Sequence, residues 1–236
     1  MKRTPAKRKT KQPPTNGHEI MFTLEPWYTK GRRSNNCYAY AVNDYETFRL
    51  QKSVPGSMVG RNGFHTYTHC TGVADRVVAD NPKKVYKTKA MTKCRPGFYK
   101  IMMVVAPSNI YGNKTGDFHF YKQHSKLQHI VKDGDTYTSI SKMYKVPYSR
   151  VRKAGGTKPL VPGRKLVIPV NLFSHKQGWA TGPLLKDSCG KLIKDPRKAC
   201  RKYGYNYSKY CSSFCVKNKG VNVGQSELTK YIPKFF

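Results

Sequence analysis

The chain is short of acid. Its 236 residues hold 45 lysines and arginines against 12 aspartates and glutamates, a formal charge of +33 at pH 7. A charge of that size excludes an ordinary cytosolic metabolic enzyme as the default reading, because self-repulsion opposes compaction unless something anionic sits nearby. Long apolar runs are missing too. The longest, Ile101 to Pro107, falls well below the roughly 20 residues of a membrane-spanning helix. Residues 1–14 have the charged start of an export leader without the apolar stretch that should follow, so no signal peptide is expected. No CxxC pair occurs among the seven cysteines (37, 70, 94, 189, 200, 211 and 215), and their number is odd. Neither metal knuckles nor a disulfide framework follows from that pattern, and mostly free thiols in a reducing compartment are expected.

Aromatic residues are plentiful: 12% of the chain, including 17 tyrosines, with a hydrophobic fraction of 38%. This excludes a protamine-like disordered protein and predicts a folded, very basic protein with partners. Residues 1–18 read as a basic extended arm carrying Lys2, Arg3, Lys7, Arg8, Lys9 and Lys11, broken by Pro5, Pro13 and Pro14. Such an arm is either a nucleic-acid or nuclear-targeting segment or a solvated extension. Most of the positive excess lies beyond it, so the body itself must face DNA, an anionic membrane face or acidic protein neighbours.

Asn35-Asn36 precede CYAYAV at 37–42; asparagine caps helices and alanine favours them, which predicts a helix starting at Cys37. FYKIMMVVA at 98–106 predicts a buried strand. DFHFYKQ at 117–123 predicts a second, with Phe118 and Phe120 on one face and His119 and Tyr121 on the other. Residues 50–96 read as loop-rich, punctuated by Pro55-Gly56, Arg61-Asn62-Gly63 and Asn81-Pro82. Tyr207, Tyr210, Cys211, Phe214 and Cys215 follow helical spacing; the two cysteines read as a metal or redox pair or, more simply, as buried small hydrophobes. His65, His69 and Cys70 have the residue types of a metal cluster but lack a second ligand pair, so no metal and no cofactor are expected.

Residues 126–170 stand apart. A short strand (Ile130, Val131) meets a Gly134-Asp135-Thr136 turn, and a helix follows with Ile140 and Tyr144 one turn apart. Val146-Pro147 breaks it, a second helix carries Val151 and Ala154, and Pro162-Gly163 turns into a closing strand, Leu166 to Ile168. This βααβ order and its punctuation closely resemble a LysM module. Two positions depart from that family's pattern: Tyr137 stands where leucine is usual and Gly155 where asparagine is common. The resemblance implies a shallow groove for N-acetylglucosamine polymers beside Gly134, Asp135, Thr136, Tyr137, Gly155 and Gly156; the plain alternative is a small docking domain. Because the module's end strands pair, it is expected as an insertion at a hairpin tip, splitting a host domain into 19–125 and 171–236.

Outside the module, Cys37 at a helix start, His119 on a strand and His175 further on form the set a thiol nucleophile needs: a sulfur, a base and an orienting group. Each also has an ordinary reading, as a buried thiol, a core histidine and an exposed, idle histidine. The order resembles papain-like hydrolases of the NlpC type. NCYAYA (36–41), DFHFY (117–121), SHKQG (174–178) and the tyrosine-rich stretch 203–216 resemble proteins of large DNA viruses and some bacteria. The resulting expectation is an α+β protein with a papain-like host domain, an inserted LysM module and a basic N-terminal arm. Its expected role is that of a minor capsid or cement protein in the virion of a large icosahedral DNA virus. Made in the host cytoplasm or nucleus, it would bridge other capsid proteins through basic and tyrosine-rich surfaces. A cysteine hydrolase of peptidoglycan or peptide bonds is the alternative, and non-specific nucleic-acid binding the third reading.

Overall fold

The computed structural model describes residues 12–49, 51–60, 69–107 and 116–224. The basic positions Lys2 to Lys11 and the candidate ligand His65 lie outside the described residues. The architecture is α+β. Its frame is a six-stranded antiparallel sheet in the order β1-β6-β2-β3-β4-β5. The strands are β1 (Val85–Thr88), β2 (Phe98–Ala106), β3 (Asp117–Ile130), β4 (Lys165–Lys176), β5 (Pro183–Leu184) and β6 (Lys209–Lys217). Every residue of β2 is buried. This explains its near-continuous apolar sequence, since a strand covered on both faces has no polar side to alternate with.

One face of the sheet (Ile101, Met103, Val105, Phe118, Phe120, Phe214) packs on α1 (Cys37–Val42) and α2 (Cys70–Asp80). The other (Met102, Val104, Tyr121, Phe173) is covered by Ile193, Tyr203 and Tyr207 from the long connection between β5 and β6. The helix expected at Cys37 starts there, capped by Asn36, whose side-chain oxygen accepts from the Ala39 N–H at 3.1 Å. The alternation expected along 117–123 also holds, with Phe118 and Phe120 on the helix side and Tyr121 on the other.

Three expectations fail. Residues 50–96, read as loop-rich with no element assigned, contain α2 and β1. Tyr210, Cys211, Phe214 and Cys215, read with Tyr207 as helically spaced, lie on strand β6. The register between β2 and β6 slips at Met103/Val104, which face Ser212 and Tyr210, so Cys211 is an extra residue bulged out of the ladder. The bulge turns Cys211 to the helix face while Cys215 points the other way, and the i, i+4 spacing imitates a helix without being one.

The third failure concerns the cysteines. Six of the seven are paired: Cys70–Cys211 ties α2 to β6, Cys94–Cys215 ties the β1–β2 connection to β6, and Cys189–Cys200 closes part of the β5–β6 connection. Cys37 alone is free, and it is buried. Two of the partnerships span 141 and 121 residues, so no local pattern announces them. Cross-links of this kind persist in oxidising surroundings, virion and cell surfaces among them, rather than in a reducing compartment.

β3 and β4 are the longest strands and pair from Tyr121↔His175 to Ile130↔Lys165, with one register slip between His124 and Lys126. Their far ends carry α3 (Tyr137–Tyr144) and α4 (Tyr148–Gly155), giving the strand-helix-helix-strand order read from the sequence. Leu127, Val131, Ile140, Val151, Leu166 and Ile168 form a separate small core there, joined by Phe22. Phe22 bonds to β3 on both sides, its N–H to Lys126 O and its carbonyl to Gln128 N, each at 2.9 Å. α3 opens with a reciprocal capping box between Thr136 and Ser139. No helix among the described residues is long and apolar enough to cross a membrane.

Candidate active site

Cys37 is the first residue of α1, placed by the Asn36 cap; Asn36 is itself tied to the loop below by donating to Ser53 O at 2.6 Å. The thiol lies against the β3 backbone and donates to Phe118 O at 3.7 Å. Burial pushes its pKa up to about 12 and the Asp117 carboxylate pushes the same way, outweighing the Phe120 N–H, Lys52 and Lys176. The group is a neutral thiol.

His119 and His175, on adjacent strands, meet with Nε2 of the first 2.9 Å from Nδ1 of the second. His175 Nε2 lies 3.1 Å from Lys186 O, which only accepts, so Nε2 of His175 carries the proton. Both rings are held neutral, His119 well below the usual imidazole range by burial, then by His175 and Arg201, and His175 down at about 4 by burial. In a neutral His175 the Nδ1 then accepts, and His119 Nε2–H donates to it. His119 therefore keeps a bare lone pair on Nδ1, which has no hydrogen-bond partner among the described residues. That is the tautomer a general base needs, oriented by a second residue.

The structure thus brings His119 and His175 into direct contact and sets Cys37 against the strand that carries His119. It does not join the thiol to the imidazole, since the sulfur's partner is a backbone carbonyl. With both groups neutral, no thiolate–imidazolium pair exists in this state. If the thiol reached His119 Nδ1, the chemistry would be acyl transfer. His119 takes the proton, sulfur adds to the carbonyl carbon, the leaving amine departs with that proton, and water cleaves the thioester.

The site is roofed by tyrosines. Tyr203 and Tyr207 stack over His119 at ring distances of 5.3 and 5.5 Å, and Tyr203 also covers His175 at 5.0 Å. The Tyr207 hydroxyl donates to Asp117 at 2.6 Å. Burial raises the Asp117 pKa, with the hydrogen bonds from Tyr207 and from its neighbour's N–H opposing.

A second polar centre, which sequence reasoning missed, lies one turn along α1. Ser174 Oγ sits 2.6 Å from both His124 Nε2 and Tyr40 Oη, while His124 Nδ1 donates to Ile20 O at 2.6 Å. Proton order follows: Ser174 donates to His124, and Tyr40 donates to Ser174. Beside them Lys122 is entombed, its ammonium 3.9 Å from the Tyr40 ring centre and its pKa driven down to about 7 by burial. Ser174 and His124 are 0% and 1% exposed, so this network braces the interior rather than meeting a substrate. Nothing in the local sequence marks these residues as partners, since they come from α1, β3 and β4.

No cluster of three metal-ligating side chains occurs among the described residues. Cys70, once a candidate ligand beside His69, is spent in a disulfide.

On the module, the turn residues Gly134, Asp135 and Thr136 precede α3, and Gly155 and Gly156 close α4. Asp135 is engaged internally: it accepts from His129 Nε2 at 2.9 Å and from Lys132 N at 2.8 Å, and the Lys132 N–H bond is the main cause of its lowered pKa. Tyr137 lies directly on Gly155, where a Cβ would collide with its ring. The two departures from the family pattern are therefore one contact, a large side chain accommodated by a missing one. Arg152 also lies over that ring, its guanidinium carbon 5.0 Å from the centre. Residues 129–169 are a LysM domain. LysM domains bind N-acetylglucosamine polymers. No curated protein and no solved structure matches the chain.

Proposed function

We propose that the chain is a structural carbohydrate-binding protein of a virus particle, a minor capsid or cement protein of a large icosahedral DNA virus. Its LysM module would hold an N-acetylglucosamine polymer, and its basic host surface would bind acidic neighbours. The observation that carries this reading is the state of Cys37: the free thiol is buried and protonated, inside a body closed by three disulfides. Such a body suits persistence in an oxidising exterior more than turnover. The module grows from the β3–β4 hairpin without a linker, so anything it grips is rigidly coupled to the sheet. Among the described residues only three lysines or arginines pair with a carboxylate, which leaves most of them for partners, DNA included.

Two measurements test it. Mass spectrometry of salt-washed particles should recover the protein with its disulfides intact, and calorimetry with chitohexaose should give saturable binding. Absence from washed particles removes the structural role, and no heat at millimolar chitohexaose removes the glycan role.

One observation favours a second reading, a cysteine hydrolase of peptidoglycan or peptide bonds. The His119–His175 bond leaves the base's lone pair on the unpartnered ring nitrogen. On this reading the host is a papain-like domain with Cys37 as its nucleophile. Unchanged lysis of cell-wall material by Cys37→Ala would dispose of it.

A further inference from the structure

An open cavity of about 490 Å³ lies in the β5–β6 connection, lined by Arg201, Lys202, Tyr205, Asn206, Tyr207 and Ser208. Its lining presents two cations, an amide, a serine hydroxyl and tyrosine rings, and no carboxylate. Residues 185–208 carry seven lysines and arginines against two aspartates. Both aspartates are committed: Asp187 accepts from the N–H groups of Cys189, Lys191 and Cys200, and Asp195 pairs with Arg197. An anion entering here meets no opposing charge from the lining.

The wall is preformed. Arg201 gives three of its five N–H groups to the carbonyls of Ala199, Tyr207 and Arg197, which fixes the guanidinium and leaves two for a ligand. An antiparallel bridge between Lys202 and Asn206 closes the turn at Gly204 (φ +89°), and Cys189–Cys200 anchors its base. A site ordered by its own bonds loses less binding free energy to ordering. Lys202 is exposed, and its ammonium takes no part in the ion pairs. Tyr205 is 39% exposed, its ring 5.9 Å from that of Tyr207. An accessible aromatic ring thus shares one cavity with a fixed guanidinium and a free ammonium.

We propose that this cavity binds one nucleotide unit of a single-stranded nucleic acid, its phosphate on Arg201 and Lys202 and its base on Tyr205. A planar fork beside a point charge suits a phosphodiester. An unpaired base offers the π face on which a tyrosine ring stacks, and in a duplex that face is already covered by the neighbouring bases. An acidic peptide would use the two cations and leave Tyr205 idle. The proposal rests on the reading of DNA among the partners, and adds a defined site to the attraction that charge alone supplies.

The test uses the full-length, disulfide-bonded protein and fluorescence anisotropy with three tagged probes: an oligothymidylate, its abasic analogue and a duplex of equal length. The strand should bind more tightly than the abasic chain. Tyr205→Ser should weaken strand binding roughly tenfold or more and leave the other two probes almost unchanged. Tyr205→Phe, which keeps the ring, should bind the strand like the wild type. Lys202→Gln should flatten the log–log salt dependence of strand binding by about 0.7, the loss of one phosphate contact. Equal affinity for strand and abasic chain, or a Tyr205→Ser protein that keeps its strand binding, overturns the site and leaves DNA as a purely electrostatic partner. Failure of all three probes to bind at low salt overturns the site and the DNA reading together. Polyglutamate that displaces the strand as well, charge for charge, assigns the cavity to an acidic peptide. Thymidine monophosphate that competes as well, nucleotide for nucleotide, assigns it to a free nucleotide, and either result overturns the proposal.

Discussion

Lowering the pH from 7 to 5 is expected to remove about 4 kcal/mol of folding stability through two buried histidines alone. Burial holds His124 at about 3 and His175 at about 4 in the folded protein. An unfolded histidine titrates near 6.5. Between these values the unfolded chain binds protons that the native state refuses, so stability falls with pH through this window and levels off only below the folded values. Each histidine contributes about 2 kcal/mol of the loss, and His119 adds to it in the same direction. A total near 4 kcal/mol is a large share of the roughly 5–15 kcal/mol that a folded domain commands. Urea unfolding with disulfides intact, followed by Trp27 and Trp179 fluorescence, should show the midpoint falling by about 1.5–2 M over that range. Asp80 and Asp117, both raised by burial, push the other way in acid, so the decisive comparison is with a variant. His124→Gln should be less stable at pH 7, because it breaks the Ser174–Ile20 link, yet lose about 2 kcal/mol less on acidification. Parallel pH profiles for wild type and variant would refute the argument.

Other outcomes follow from the same structure. Removing the Cys94–Cys215 pair by alanine substitution should cost about 3–4 kcal/mol, because the Cys70–Cys211 bridge already closes the long loop and leaves one of roughly 30 residues to release, read as a lower unfolding midpoint. Gly155→Ala should destabilise the protein by about 1–3 kcal/mol by colliding with Tyr137, and adding Tyr137→Leu should restore most of the loss, which thermal melts of the three variants will report. Asn36→Ala should cost about 1 kcal/mol or more by uncapping α1 and freeing Ser53 O, measured by the same melts. Binding to duplex DNA, measured by fluorescence anisotropy, should weaken by orders of magnitude between 50 and 200 mM salt; a flat response removes DNA from the partners.

The parts legible in the sequence are those whose cause is local. Asn36 before a CYAYAV run marks α1 because a cap and helix-forming residues act within one turn. FYKIMMVVA marks β2 because burial on both faces leaves no polar alternation. The LysM module is a short unit whose turns, helix breaks and small core all fall within 129–169, so its pattern survives intact in one stretch of chain. The three candidate residues Cys37, His119 and His175 were also legible as residue types, since nucleophile, base and orienter have distinctive chemistry.

Tertiary structure decided the rest, because the causes join distant residues. A bulge at Cys211, set by the register with β2, turned an apparent helix face into a strand and sent Cys211 and Cys215 to partners 141 and 121 residues away. The protonation state of the thiol depends on its burial where α1 meets β3 and on the charge of Asp117. The tautomer of His119 is set by a carbonyl at Lys186, two strands away. Tyr207, which spacing placed on a helix, and Tyr203, in the tyrosine-rich stretch, reach the histidines only because the β5–β6 connection folds back over the sheet. Composition and local pattern determined that this is a basic α+β protein bearing a LysM module, and singled out Cys37, His119 and His175 as candidates for a thiol site. Whether that site is open, charged or sealed depends on dielectric surroundings and on contacts between segments, and these exist only once the chain has closed on itself.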